Sequence, residues 1–113
     1  MSKRDWKLLL EDIRDSIQRV ENYIGDLTRK EFKTNQMVID AVVRNLEIIG
    51  EASRIMPEEG TRKLSTLPWN NMVGLRNRII HEYFGVDLDI IWYIVKNELP
   101  SVKSQLDAVL ESK

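Results

Sequence analysis

The sequence predicts an all-α protein, an up-and-down bundle of about five helices. Apolar residues recur at steps of three and four through most of the chain, which is the period of a helix with one buried face. No segment alternates apolar and polar residues as a half-buried strand does, and no repeat is visible. With 113 residues and 42% hydrophobic content, the chain has the size of one ordinary domain. We therefore expect residues 1–113 to form a single domain.

Two long helices are predicted to form the scaffold. The first ends near Gly25, and Thr28 and Glu31 then have the spacing of a capping box, which predicts a short helix or turn. The second long helix ends near Pro57. The apolar stripe of the first helix comprises Trp6, Leu9, Leu10, Ile13, Ile17, Val20, Ile24 and Leu27, and that of the second comprises Val38, Val42, Leu46, Ile49, Ala52 and Met56.

The second half of the chain begins with a polar interval. Residues 57–67 contain Gly and Pro and read as an exposed connection. Pro68 suits the first residue of a third helix, because its missing N–H costs nothing there. The apolar positions that follow, up to Ile80, predict that this helix continues into residues 76–83.

Two further helices are predicted after Gly85, which suits a helix stop. Asp87 or Asp89 can cap the fourth helix, and Pro100 can open the fifth. The Asp87-x-Asp89 pair also resembles the metal-binding carboxylates of nucleotidyltransferases. Capping is the better interpretation, because no Gly-Ser dipeptide or Gly-Lys phosphate loop accompanies the pair.

The charge balance, the absence of cysteine and the length of the apolar runs exclude several classes of function. Seventeen Lys and Arg against eighteen Asp and Glu leave a formal charge of −1, so no overall positive field favours nucleic acid, and any RNA must bind through a local cluster. The absence of cysteine excludes disulfides, thiolate catalysis and the usual zinc sites. No apolar run is long enough to span a membrane, and the first residues lack a signal-peptide core. A cytoplasmic protein without a membrane anchor is therefore expected.

The candidate site is the segment from Arg76 to Tyr83, which contains the only histidine of the sequence. His81 can exchange a proton near neutral pH, and Arg76 offers a planar fork of donors that suits a phosphate. In a helix, Asn77 would lie on the same face as His81, and Arg76 and Tyr83 would share a neighbouring face. This set fits cleavage of a phosphodiester, with His81 as the base or acid and Asn77 as support, and it requires no metal or cofactor.

Cleavage of RNA by attack of the 2′-hydroxyl needs a base at the 2′-oxygen and an acid at the leaving 5′-oxygen. Each chain has one histidine. A two-fold homodimer that brings two copies of the motif together would supply both groups. The sequence therefore predicts a homodimer with its site at the symmetry axis.

These residues resemble the HEPN superfamily, and specifically the HepT-like ribonuclease toxins. The resemblance rests first on the Arg-x4-His-x-Tyr pattern of Arg76, His81 and Tyr83. It extends in order and spacing over nearly the whole chain, through residues 44–52, Leu67-Pro68-Trp69, residues 83–87, Trp92 and Leu99-Pro100. The agreement of so many segments makes the resemblance specific, whereas Arg-x4-His alone is a weak pattern.

The resemblance implies a HEPN-like helical bundle that dimerises with its motifs facing each other. It also implies a metal-independent endoribonuclease in a toxin–antitoxin pair, with Arg76 and His81 catalytic and Asn77 in support. The partner would be an MNT-type nucleotidyltransferase antitoxin that transfers AMP to Tyr83. Added AMP places bulk and negative charge beside the position of a substrate phosphate.

The sequence is also compatible with other roles for these residues and for the chain. His81 could be a structural residue at a helix end, Tyr83 a packing aromatic, and Arg78 a solvated charge or a weak contact for RNA phosphate rather than a catalyst. The chain could also be a non-catalytic subunit of a nucleotidyltransferase that binds a nucleotide or substrate. Transfer RNA and messenger RNA would serve the nuclease mechanism equally well.

Overall fold

The computed structural model describes residues 5–81 and 85–111, and for His81 it describes the backbone. The fold is all-α, as predicted. The helices are α1 (Trp6–Ile24), α2 (Arg29–Lys33), α3 (Gln36–Arg54), α4 (Glu58–Lys63), α5 (Trp69–Val73), α6 (Leu75–Ile79), α7 (Leu88–Tyr93) and α8 (Leu99–Glu111), with a π-helical segment (Ile94–Glu98) between the last two. Two very short strands, β1 (Ile80–His81) and β2 (Gly85–Val86), pair antiparallel.

Helices α1 and α3 form the scaffold, and most residues of their predicted apolar stripes are buried in one core. Trp6 and Val38 are partly buried, and Leu27 lies beyond the end of α1. Asp5 caps α1 by accepting from the backbone N–H of Lys7 at 2.9 Å, and Gly25 ends it. The predicted capping box at Thr28 and Glu31 is present in both directions. The first half of the chain therefore follows the rules of helical periodicity and capping closely.

Residues 57–67 connect α3 to α5 and expose most of their polar side chains, as predicted, but the segment contains a short helix and two buried leucines that were not predicted. Glu58–Lys63 is helical, and Leu64 and Leu67 are buried in the core. The indole N–H of Trp69 donates to the Leu64 carbonyl at 2.9 Å, which ties this segment to the start of α5. The polar residues of this segment face solvent on one side, and its apolar residues pack into the core on the other side.

The fourth and fifth predicted helices form one continuous helical stretch, so Pro100 does not open a separate helix. The backbone N–H of Leu99 donates to the Ile94 carbonyl, a step of five residues that defines the π segment. Proline lacks an N–H, and its ring would clash with the carbonyl four residues earlier in a regular α-helix. A π segment immediately before Pro100 widens the turn and allows the helix to continue.

The site segment lies against the scaffold at Gly50. An added Cβ at Gly50 would lie 3.3 Å from the Met72 carbonyl oxygen and 3.8 Å from the Leu75 Cβ. The absence of a side chain thus lets α5 and the start of α6 approach α3 closely. In the described residues, no helix is long and apolar enough to cross a membrane.

Candidate active site

Arg76 and Asn77 line a groove of about 700 Å³ that α1, α3 and the α5–α6 segment form together. Both side chains are exposed. The neighbouring Leu75 and Ile79 are buried and hold α6 in the core. The local sequence thus buries one face of a short helix and presents Arg76 and Asn77 to solvent on another face.

The helix that carries these residues ends earlier than predicted. Gly74 separates α5 from α6, and α6 ends at Ile79. Ile80 has extended backbone angles, and the Ile79 carbonyl accepts from the backbone N–H of Asp87 at 2.7 Å. The chain therefore leaves the helix because the hydrogen bond from Asp87 and the pairing of β1 with β2 replace the next helical turn.

The predicted stacking of Asn77 and His81 on one helical face was wrong, because His81 lies in β1. Its backbone pairs with Gly85 of β2, and Ile80 pairs with Val86. Gly85 has a φ of 78°, a left-handed conformation that glycine adopts without strain. It was predicted as a helix stop and instead begins β2. Tyr83, the predicted site of AMP attachment, lies in residues 82–84, outside the described residues.

The guanidinium of Arg76 is loosely held. Its Nε lies 3.9 Å from a carboxylate oxygen of Glu47 on α3, and the Arg76 side chain is 65% exposed. An exposed pair at this distance is weak, because water screens both charges. Arg76 thus remains available to bind an anion in the groove. Asn77 makes no side-chain hydrogen bond within the described residues, so its amide is available there too.

Arg78 has a different environment from Arg76. Its two terminal nitrogens donate to the two carboxylate oxygens of Glu98 at 2.8 and 2.7 Å. Both side chains are less than a third exposed, and the hydrogen bond to Glu98 raises the pKa of Arg78 above its usual value. The pair joins α6 to the π segment. Arg78 therefore links two elements through a bidentate ion pair and is not the solvated charge that the sequence suggested.

Asp87 caps α7, in agreement with the capping interpretation, since its carboxylate accepts from the backbone N–H of Ile90 at 3.0 Å. Asp89 instead binds Arg29 at 2.6 Å and Lys33 at 3.0 Å, which lowers the pKa of the Asp89 carboxyl. The two carboxylates thus have separate structural partners. Within the ranges 5–81 and 85–111, no three potential metal ligands cluster together.

Sequence reasoning missed three neighbours of the motif. Glu47 and Arg44 line the same groove as Arg76, although both belong to the segment 44–52 that supported the family resemblance. Their spacing of three residues on one helix could have indicated a shared face. Glu98 carries no such signal, because it lies 20 residues from Arg78 and only the tertiary fold brings them together.

Comparisons with known proteins agree on one family. A family model of HepT-like ribonucleases matches residues 13–109. A candidate RNase of Methanocaldococcus jannaschii is 46% identical over 109 residues, covering 96% of this chain and 100% of that protein. A candidate ribonuclease HepT of Thermococcus cleftensis is 38% identical over 105 residues, covering 93% of this chain and 96% of the relative.

Solved structures show the same fold. A tri-AMPylated HEPN toxin of Shewanella oneidensis, in complex with an MNT antitoxin, superimposes with a TM-score of 0.62 at 24% identity, covering 97% of this chain and 100% of the other. A mutant MntA toxin–antitoxin structure gives a TM-score of 0.70 at 23% identity, covering 96% and 100%. The helical arrangement is thus that of HEPN toxins. Together with the family match over most of the sequence, it establishes that this chain belongs to the HepT-like ribonuclease family.

Proposed function

We propose that this chain is the toxin of a toxin–antitoxin pair and acts as an endoribonuclease. The observation that carries the proposal is the exposed Arg76 and Asn77 at the edge of a groove, within the Arg-x4-His-x-Tyr motif of a HepT-like chain. The weak contact with Glu47 leaves the Arg76 guanidinium able to exchange its partner for a phosphate. His81 lies in β1, directly after α6, and its backbone pairs with Gly85 of β2.

The proposed reaction is a transesterification. His81 of one chain removes the proton of a 2′-hydroxyl, and the 2′-oxygen forms a bond to the adjacent phosphorus. The bond from phosphorus to the 5′-oxygen breaks, and His81 of the partner subunit protonates that oxygen. The products are a 2′,3′-cyclic phosphate and a 5′-hydroxyl. Arg76 stabilises the additional negative charge of the transition state, and Asn77 orients the imidazole or a ribose hydroxyl.

The proposed active unit is a homodimer, since each chain supplies one histidine and the reaction uses two proton-transfer groups. A two-fold axis near the motif places the two copies of His81 on opposite sides of one phosphate. No metal takes part in this mechanism, because imidazole transfers the protons and guanidinium compensates the charge. Cleavage should therefore persist in EDTA.

The proposed partner is an MNT nucleotidyltransferase antitoxin that transfers AMP to Tyr83. The structure from Shewanella oneidensis, described as a tri-AMPylated toxin with its MNT antitoxin, supports this proposal by analogy. AMP on Tyr83 would add phosphate charge and bulk two residues from His81 and would compete with the substrate phosphate. A relative from the same organism, 26% identical over 121 residues and covering 86% of this chain and 90% of that protein, is named an mRNA nuclease. Messenger RNA is accordingly the first substrate to test.

The test uses purified, unmodified protein incubated with total RNA in EDTA. Wild type should cut RNA and leave a cyclic phosphate and a 5′-hydroxyl, whereas Arg76→Ala and His81→Ala should cut RNA far more slowly. Arg14→Ala, which removes a weakly paired arginine on α1, serves as the control and should cut normally. Inactivity of unmodified wild type would overturn the proposal and favour a non-catalytic subunit of a nucleotidyltransferase.

The dimer and the antitoxin are tested separately. Activity per chain should fall when dilution separates the subunits, as followed by analytical ultracentrifugation. Incubation with the partner nucleotidyltransferase and ATP should add AMP units to the intact mass of wild type and none to Tyr83→Phe. Full activity of the separated monomer would contradict the composite site, whereas AMP on the Tyr83→Phe protein would contradict the assigned acceptor.

A further inference from the structure

A ridge on α3, formed by Arg44 and Glu47, lies between two grooves. The first groove contains Arg76 and Asn77, and the second, of about 400 Å³, contains Gly85 and Val86 of β2. Arg44 and Glu47 line both grooves. The ridge therefore lies between α6, which carries Arg76 and Asn77, and β2, whose Gly85 pairs with His81.

The charged residues on and beside this ridge differ in whether they form ion pairs. Glu47 faces Arg76, and Glu51 pairs with Arg54 one helical turn further along α3. Asp12, the remaining carboxylate of the first groove, also makes an interaction and is not free. Arg44 forms no ion pair with any residue in the part of the chain that the structure describes. It is thus a positive charge on the ridge that has no carboxylate partner there.

The nearest acidic residues on the same helix form no ion pair with Arg44. Asp40 lies one turn before it and accepts a hydrogen bond from Gln36 at 2.7 Å. Glu47 lies one turn after it, and its carboxylate contacts Arg76. Arg44 is exposed, and it projects from a helix of 19 residues whose opposite face is buried. A regular helix holds the backbone of a binding residue more firmly than a loop does.

We propose that Arg44 binds a phosphate of the RNA strand next to the bond that is cleaved. The inference rests on the proposed ribonuclease function and adds a binding residue that lies outside the motif. A strand that passes from the groove of Arg76 to the groove of Gly85 crosses the ridge at Arg44. Its guanidinium can donate two parallel hydrogen bonds to phosphate oxygens without displacing an ionic partner among residues 5–81 and 85–111.

This subsite explains how a chain with a net charge of −1 can bind a polyanion. Affinity for nucleic acid comes largely from local neutralisation of phosphates and the release of their counterions. Arg76 and Arg44, on adjacent elements around one groove, would contact neighbouring phosphates of a single strand. Arg54 and Arg78 contribute less, because Glu51 and Glu98 already occupy their donors.

The test measures RNA binding without cleavage. Full-length His81→Ala protein and the same protein with Arg44→Gln are titrated into a fluorescein-labelled single-stranded RNA, with fluorescence anisotropy as the readout. Arg44→Gln should weaken binding about tenfold, as expected for one charge-assisted contact. The slope of log affinity against log salt should fall by about 0.7, the value for one phosphate contact on a single strand.

Two variants in the same His81→Ala background serve as controls. Arg44→Lys keeps the charge and loses the planar fork, so it should restore the salt slope and only part of the affinity. Arg14→Gln removes a positive charge from the side of α1 near α8, where Arg14 affects the pKa of Lys103. It should bind within about twofold of the parent protein, as expected for a charge without a phosphate contact.

Three results would overturn the assignment of Arg44. The first is an unchanged affinity and salt slope in Arg44→Gln, and the second is no measurable RNA binding by the parent protein. The third is weakened binding that follows dissociation of the dimer in ultracentrifugation. The last would make Arg44 a contact between copies of the chain. If wild type cuts RNA and Arg44→Gln binds normally, only the subsite fails. If wild type binds RNA through Arg44 and does not cut it, the subsite stands and the nuclease fails.

Discussion

The scaffold and the site segment are built in different ways. Helices α1 and α3 each run for 19 residues with one continuous buried face. The site segment over residues 69–86 consists of two five-residue helices and two two-residue strands in its described parts. Its anchors are single apolar residues such as Leu75 and Ile79. The scaffold is therefore stabilised by the long apolar faces that its two helices bury. The site segment is stabilised by the few apolar residues that it packs into the core.

This difference predicts that stability and activity depend on different residues. Substitutions on the buried face of α3 should lower stability, because they leave cavities in a close-packed interior. Substitutions of the exposed polar residues of α6 should lower activity and leave stability almost unchanged. Each of the following predictions tests that separation.

The largest effect is expected for Arg76→Ala. Loss of the guanidinium should lower kcat/KM for RNA by about 10²- to 10³-fold, equivalent to about 3–4 kcal/mol, as for the loss of one group that stabilises transition-state charge. The melting temperature should stay within about 2 °C of wild type, because Arg76 is 65% exposed and weakly paired. Cleavage assays and thermal unfolding on the same preparation test both statements. A large fall in melting temperature would show that Arg76 also supports the fold.

The opposite pattern is expected for Ile49→Ala. Ile49 is fully buried in the core, and its truncation should cost about 3 kcal/mol of unfolding free energy. Urea unfolding measures this loss, and the remaining folded protein should cut RNA at the normal rate. Met37→Ala is the control on the same helix, because Met37 is 79% exposed and should change stability by less than about 0.5 kcal/mol. Equal effects of the two substitutions would contradict the assigned core face of α3.

Local sequence rules were sufficient for the scaffold and insufficient for the site segment. The apolar stripe, the helix stop and the capping box each depend on residues that are close in sequence, so the end of α1 at Gly25 and the start of α2 after Thr28 could be predicted. The end of α6 depends on a hydrogen bond from Asp87 to the Ile79 carbonyl and on pairing with β2. The spacing of apolar residues up to Ile80 is equally compatible with a longer helix, so the sequence alone favoured the wrong alternative.

The candidate site shows the same limit. Arg76, Asn77 and His81 could be selected from residue type and spacing, and their roles stay predictions. The environments of two arginines two residues apart could not be predicted, because Glu47 and Glu98 belong to other elements. Arg78 therefore reads from sequence as a candidate phosphate contact and is found in a bidentate ion pair.

Glu98→Gln tests whether Arg78 is a clamp between α6 and the π segment. Loss of the carboxylate leaves a partly buried guanidinium without its ionic partner and should cost about 1–2 kcal/mol of unfolding free energy. Glu51→Gln, which disrupts the exposed pair with Arg54, is the matched control and should have a smaller effect. Unchanged stability together with tighter RNA binding in Glu98→Gln would instead support Arg78 as a phosphate contact.

The smallest effect is expected at Asp89, which links α7 to α2 on the surface. Arg29 and then Lys33 lower the pKa of this carboxyl, so the folded state favours its ionised form over the unfolded state. The resulting stabilisation is present above the unfolded pKa of an aspartate and is lost as the pH falls through the lowered folded pKa. Asp89→Asn should therefore lower the melting temperature slightly at pH 7, and the difference from wild type should shrink towards about pH 3. A difference that grows on acidification would show that the ion pair is not its source, and that α7 depends on Asp89 in another way.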